Sequence, residues 1–435
     1  MESTTHLVER IRARARTLEG AEDLDPLLER IGEARCVLLG EASHGTSEYY
    51  SWRARISERL IREKGFSFIA VEGDWPDCYE VNRYAKGYPG SGRDAREVLL
   101  RAFERWPTWM WANEEVVLLA EWLRGHNEGL PQGEKIGFYG LDVYSLWNSM
   151  ESIIEYLERV DPGAVEAARR AYGCFEPYGE DAQRYARATA FVPTSCEDEV
   201  VGVLSELRER IPQYRDDPEA RFGAEQNALV VKNAEAYYRT MVRGGVESWN
   251  VRDRHMTETL GRLMEHHGPG AKGIVWEHNT HVGDARYTDM ASSGMVNVGQ
   301  LAREERGDED IVLVGFGSYR GSVIAGGRWG APMQRMTVPP AREGSWEDVL
   351  HAAGEGDRLL VFSGADEEGL LEPRAHRAIG VVYDPAAERY GNYVPTVLPR
   401  RYDAFVYLDE TRALRPFGVR PREDGEPPET FPSGV

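Results

Sequence analysis

The sequence predicts an α/β fold: a mostly parallel central sheet flanked by helices and split by a helical insertion. Three observations predict it. Seven short apolar runs are continuous rather than alternating, the pattern of strands buried on both faces. Amphipathic stretches separate them, as crossovers between parallel neighbours require. The middle of the chain, about Val143 to His267, holds long charged amphipathic stretches and almost no strand signal.

In chain order, the first run is Cys36-Val37-Leu38-Leu39-Gly40, in which Cys36 reads as a small core hydrophobe. Ser67–Val71 and Lys135–Leu141 follow as the second and third strands. The insertion comes next, with helices expected over Leu146–Leu157, Glu197–Ile211, Ala224–Val242 and Val251–His266. Strands resume at Gly273–Trp276, Ile311–Gly315, Arg358–Phe362 and Ala404–Leu408. Gly321–Val338 is rich in glycine and closely spaced strand signals, which suits an antiparallel edge. The expected organisation is therefore a first core segment (1–142), a helical insertion or lid (143–267), a second core segment (268–420) and a disordered Pro-, Gly- and Glu-rich tail from Pro421 to Val435.

Composition narrows the function class. The 435 residues carry 52 basic and 73 acidic side chains, a net charge of −21, which argues against a general electrostatic grip on nucleic acid or an anionic membrane. Eleven Trp, 21 Tyr and 12 Phe supply ample apolar surface for a folded core. The four cysteines form no CxxC pair, so a zinc ribbon is excluded. The N-terminus lacks a secretory core, and no apolar run approaches the roughly 20 residues of a membrane span. A cytoplasmic protein with reduced thiols is the expectation, with a small molecule as its partner.

In open α/β sheets, ligands bind beyond the carboxyl ends of the strands. The first four strand ends all carry carboxylates: Gly40-Glu41-Ala42-Ser43-His44-Gly45, Glu72-Gly73-Asp74-Trp75, Asp142, and Glu277-His278-Asn279-Thr280-His281. Such a concentration of titratable groups points to one reactive crevice. His44 is the candidate general base, because imidazole titrates near neutral pH and can take a proton from water. Glu41 or Glu72 would hold its tautomer. The alternative for His44 is a cap on the following helix. That helix has an apolar stripe of Tyr49, Trp52, Ile56 and Leu60, and Arg53 borders it, placed to meet a carboxylate or an anionic substrate group.

The paired histidines permit two readings. HxxH spacing can bind zinc, although the HExxH pattern is absent. Alternatively, His278 and His281, on an expected loop, donate hydrogen bonds to a substrate carbonyl, with Asp284 and Arg286 orienting them. Asn250 and Asp253 fit a helix N-cap, with Arg252 one turn before Met256 and able to reach the crevice. Asp142, Glu114 at a helix start and Trp75 complete the candidate substrate wall. Gly315–Gly321 matches neither a Walker loop nor GxGxxG, and no G-x-S-x-G elbow exists for a serine hydrolase. His126, His266, His267, His351 and His376 have no constellation around them and read as structural.

Taken together, Gly40–Gly45, the Glu72 strand end, Arg53, Phe138–Asp142, Trp276–Asp284 and Tyr402–Phe405 resemble the erythromycin esterase family, over about residues 30 to 415. The resemblance implies an α/β core with helical additions forming one side of a deep cleft. It implies hydrolysis of an ester by activated water, in the best-known members the macrolactone of erythromycin, hence antibiotic resistance. His44 matches the family's proposed general base, and Glu41, Glu72, Arg53, His278 and His281 match its other active-site positions; no cofactor is generally required. Two rival readings stay open: a metal-dependent hydrolase with Glu41, His44, Glu72, His278 and His281 as ligands, and a non-catalytic protein binding haem or another small ligand.

Overall fold

The structure, a computed structural model, describes residues 4–178, 182–191, 195–214, 217–241, 245–363 and 369–418. In chain order its strands are β1 (Arg16–Thr17), β2 (Cys36–Leu39), β3 (Phe68–Asp74), β4 (Gly137–Asp142), β5 (Gly273–Trp276), β6 (Ile311–Gly326), β7 (Met333–Val338), β8 (Arg358–Val361), β9 (Arg374–Arg377), β10 (Tyr393–Thr396) and β11 (Ala404–Thr411). All but β7, β9 and β10 lie along one sheet in the order β1-β8-β11-β6-β2-β5-β3-β4. From β11 to β4 every pairing is parallel. The continuous apolar runs are explained by this placement: every residue of β2, β3, β4 and β5 is buried, because helices cover both faces.

All seven sequence-predicted strands form. Of these, β8 runs antiparallel to β11 and carries β1 as the sheet's edge. The glycine-rich stretch adds the expected antiparallel element, for β6 continues past the sheet and folds back onto β7, with Gly321 opposite Val338 and Gly326 opposite Met333.

Topology brings the chemistry together. Strand β5 slots between β2 and β3, although some 200 residues separate it from them in sequence. The carboxyl ends of β2, β5, β3 and β4 are therefore four neighbours at one rim. Gly45 helps to close that rim from the side. Its carbonyl accepts the N–H groups of Ile324 and Leu414, both at 3.0 Å, and a Cβ there would sit 1.9 Å from the Ile324 carbonyl oxygen. Only a residue without a side chain permits that approach.

Between β4 and β5 the described residues form helices and no strand, over Leu146–Val160, Pro162–Tyr172, Ala182–Phe191, Glu197–Arg210, Pro218–Met241 and Glu247–His266. The first five of these pack around a core of their own, with Phe175, Tyr185, Leu229 and Tyr237 among its buried members. Here the structure corrects the reduced-thiol expectation: Cys174 and Cys196 form a disulfide, with Cα atoms 5.9 Å apart across 22 residues of sequence. Folding supplies a proximity that spacing alone did not show. Cys36 and Cys78 are free and buried. Among the described residues, no helix is long and apolar enough to cross a membrane. The tail Pro421–Val435 lies outside the described residues.

Candidate active site

The rim is built in two layers. Beneath the surface, the Arg53 guanidinium sandwiches between the rings of Tyr50 (4.5 Å) and Trp276 (4.7 Å) and donates to Glu41 Oε2 at 2.6 Å. Arg53 is completely buried. The other Glu41 oxygen, Oε1, lies 2.9 Å from His44 Nδ1. A carboxylate there selects the tautomer protonated at Nδ1 and leaves the Nε2 lone pair as the base. His44 itself lines a cavity of about 60 Å³ together with Glu72, Asp74, Asp142, Arg105 and Arg252. Thr46, not His44, occupies the cap position of the helix Ser47–Lys64.

Glu72 is held from two sides. Its Oε1 accepts from Arg252 at 2.7 Å, and its Oε2 accepts the backbone N–H of His278 at 2.8 Å. Burial by itself would raise this carboxyl. His281 and His44 in their protonated forms, the Arg252 charge and the His278 hydrogen bond outweigh burial and hold it far below the usual carboxylate range. Arg252 also forks onto Asp142, through Nε at 2.9 Å and an Nη at 2.7 Å. One arginine from the insertion thus clamps the ends of β3 and β4.

The histidine pair divides its labour. His278 caps a single helical turn, Asn279–Val282, where a loop was expected. Its Nδ1 meets the Thr280 hydroxyl at 2.8 Å and the Thr280 N–H at 3.3 Å, so the ring proton belongs on Nε2. That Nε2 is buried and makes no well-aligned hydrogen bond, although the Ala42 backbone lies within reach of the ring, whose centroid is 5.0 Å from that of His44. Burial, followed by the His44 charge, pushes His278 well below the ordinary imidazole range and keeps it neutral. His281 is fully engaged instead. Its Nδ1 meets Asp253 at 2.9 Å, its Nε2 meets Arg252 at 3.1 Å, and its ring stacks on Trp249 at 4.5 Å.

The family model for erythromycin esterase matches residues 61–411 of this chain. The chain belongs to the erythromycin esterase family. A Bacillus subtilis (strain 168) protein named as a hydrolase, YbfO, is 23% identical over 417 residues, covering 89% of this chain and 86% of its own. Erythromycin esterase type II of Escherichia coli is 22% identical over 371 residues, covering 80% of this chain and 85% of its own. A solved structure of a mutant erythromycin esterase, EreC, in its open conformation superposes with a TM-score of 0.67 at 17% identity, over 93% of this chain and 99% of that one, a likeness of fold. Hydrolysis is the reaction class to which the family and these relatives point.

Within this erythromycin esterase scaffold, several sequence expectations need correction. Arg53 touches Glu41 and its aromatic neighbours, and it does not line the cavity. Trp75 is a core residue stacked on Tyr139 and Tyr79. Glu114 pairs with Arg96 at the protein surface. Asp284 is buried between Arg286 and Arg303, at 2.7 and 3.1 Å, away from the cavity. Asn250 caps nothing, since the helix begins a turn earlier at Glu247; its side chain binds Gly294 and Val296. Asp253 instead orients His281. His376 is no isolated histidine: it links Glu347 (2.6 Å) to Asn279 (3.2 Å), whose amide also binds the Phe316 carbonyl.

The metal reading fares poorly on geometry. Among the described residues, no group of three or more His, Cys, Asp or Glu side chains is arranged to hold an ion. His281 Nε2 faces the Arg252 cation, and His44 Nδ1 faces Glu41. Sequence reasoning missed Asp74, Arg105 and the tryptophans of the wall. Asp74 had a signal, as a second carboxylate two residues beyond Glu72; Arg105, Trp106 and Trp329 lie between the predicted strands and had none.

Proposed function

We propose that the protein hydrolyses a carboxylic ester or lactone of a small molecule, using water activated by His44. The observation that carries this reading is the Arg53–Glu41–His44 chain ending at the cavity. Glu41 stabilises the imidazolium that forms when Nε2 takes a proton from water. The hydroxide attacks the ester carbon, and negative charge develops on the carbonyl oxygen. His278 Nε2–H is the donor suited to that charge: it is neutral, buried and beside His44. Collapse of the tetrahedral species breaks the bond to the alkoxy oxygen, which takes the proton back from His44. The Arg252 clamp keeps Glu72 and Asp142 in place and screens their charge from the oxyanion.

The finer expectation of a macrolide substrate draws on the resemblance and on the relatives' names. Incubation with erythromycin and a panel of other esters and lactones, read by mass spectrometry for the addition of one water, tests both levels. A general base contributes roughly 10²–10⁴-fold, so His44→Gln is expected to lower kcat by that factor while the protein stays folded. Unchanged turnover in the folded variant would overturn the assignment.

A further inference from the structure

The two cavities at the rim differ in size and lining. The inner one, at His44, offers about 60 Å³, and the outer one offers about 420 Å³. They share Asp77, Arg105, Tyr144 and Tyr238, so the polar side of the inner cavity opens into the outer one. The rest of its lining includes the apolar rings of Phe103, Trp106, Trp111 and Trp329. On the same measure the inner cavity is about one seventh the size of the outer one, so it suits the smaller part of a substrate. The ester group and the attacking water must both lie there beside His44, which leaves space for a short chain only.

The apolar rings come from two remote segments. Trp106 follows the helix Ala95–Ala102, and Trp329 sits in the turn of the β6–β7 hairpin. Their rings lie 4.5 Å apart, and Trp106 backs onto Trp109 at 5.2 Å. Trp106 Nε1 donates to the Ala331 carbonyl at 2.9 Å, and Trp111 Nε1 donates to the Glu72 carbonyl at 3.2 Å. Gly326 packs close by, for a Cβ there would stand 3.1 Å from the Trp106 ring.

We propose that the Trp106–Trp329 clamp is a size sieve, which admits an ester with a short chain on one side and directs the larger half into the outer cavity. This rests on the ester reading and narrows it to a substrate class: short-chain acyl esters, or short-chain alkyl esters, of a larger molecule. A bulky macrolactone, branched on both sides of its ester oxygen, is a poor fit.

Two ester series test the sieve, one lengthening the acyl group from acetyl to hexanoyl on a fixed alcohol, the other lengthening the alcohol on a fixed acid. In one series kcat/KM is expected to fall at least tenfold by six carbons, and in the other to hold. That series identifies the short side. In Trp329→Ala the fall is expected to shrink by about tenfold, while Trp329→Phe keeps it. Profiles that are flat in both series or falling in both, or a Trp329→Ala ratio equal to wild type, would overturn the sieve. The matching secondary amides, read by ligand-observed NMR, report the same size limit without turnover. If no ester is cleaved, the ester reading fails, and the amide series still decides the sieve.

Discussion

Four histidines show how environment, rather than residue type, assigns a role. His44 has a carboxylate behind it and a cavity in front. His278 accepts at Nδ1 and keeps its buried Nε2–H beside the His44 ring, although it does not itself line the cavity. His281 and His376 have both ring nitrogens engaged and act on neighbours: the first fixes Arg252, the second fixes Asn279. Removing one oxyanion donor costs roughly 10²–10³-fold in kcat. His278→Ala is therefore expected to lose that much kcat with KM nearly unchanged, by steady-state kinetics on an ester the wild type cleaves. A loss confined to KM would assign His278 to ground-state binding. Arg53 acts at the same scale: the buried Glu41 carboxylate depends on it, since breaking such a pair costs about 3–5 kcal/mol.

At the scale of elements, strand ends and one close approach set the site. Strand β3 runs on to Asp74, so two carboxylates of one strand reach the cavity. The helix Glu247–His266 starts early enough that Arg252 and Asp253 fall on its buried side, toward β4 and the His281 turn. Gly45 lets the hairpin of β6 and β7 approach the His44 loop, and that hairpin carries Trp329. A methyl group at residue 45 must displace backbone rather than a pliable side chain. Overpacking of this kind costs about 1–3 kcal/mol. Gly45→Ala is expected to lower the urea midpoint by the corresponding amount, with an unchanged m-value; a wild-type midpoint would show that the loop yields freely.

For the whole molecule, the buried polar groups predict how stability responds to acid. Burial lowers His255 from 6.5 to about 4. A depressed value means that the unfolded chain binds the proton first, so the stabilising contribution is intact above 6.5 and is lost as pH falls towards 4. His278 and His376, both also lowered by burial, add to that loss in the same direction. Glu72 adds its share below 4.5, where the unfolded carboxyl protonates before the folded one. Glu277, raised mainly by burial, works the other way: its contribution is complete below 4.5 and fades as pH rises through its folded value. Unfolding free energy is expected to fall between pH 6.5 and 4 by up to about 1.4 kcal/mol per pH unit for each such histidine. In His255→Gln that slope is expected to be shallower. Urea titrations across the range decide it; identical slopes would place the acid sensitivity elsewhere.

The sequence by itself determined the class of the fold, the seven strands and the pairing of Glu41 with His44 in the candidate site. Continuous burial writes apolar runs, and Glu41 lies only three residues from His44, within local reach. It also carried enough of the family pattern to point to His278 and His281, although not to their different tasks. The tertiary structure decided everything that depends on neighbours distant along the chain. The insertion of β5 between β2 and β3 placed His278 beside His44, and a helix of the insertion delivered Arg252 to Glu72 and Asp142. Packing turned Arg53, Trp75 and Asp284 inward, paired Cys174 with Cys196, and set Trp329 against Trp106. The physical reason is common to these cases. Periodicity reports whether a side chain is buried, whereas its partner is chosen by the crossing of elements that share no local sequence.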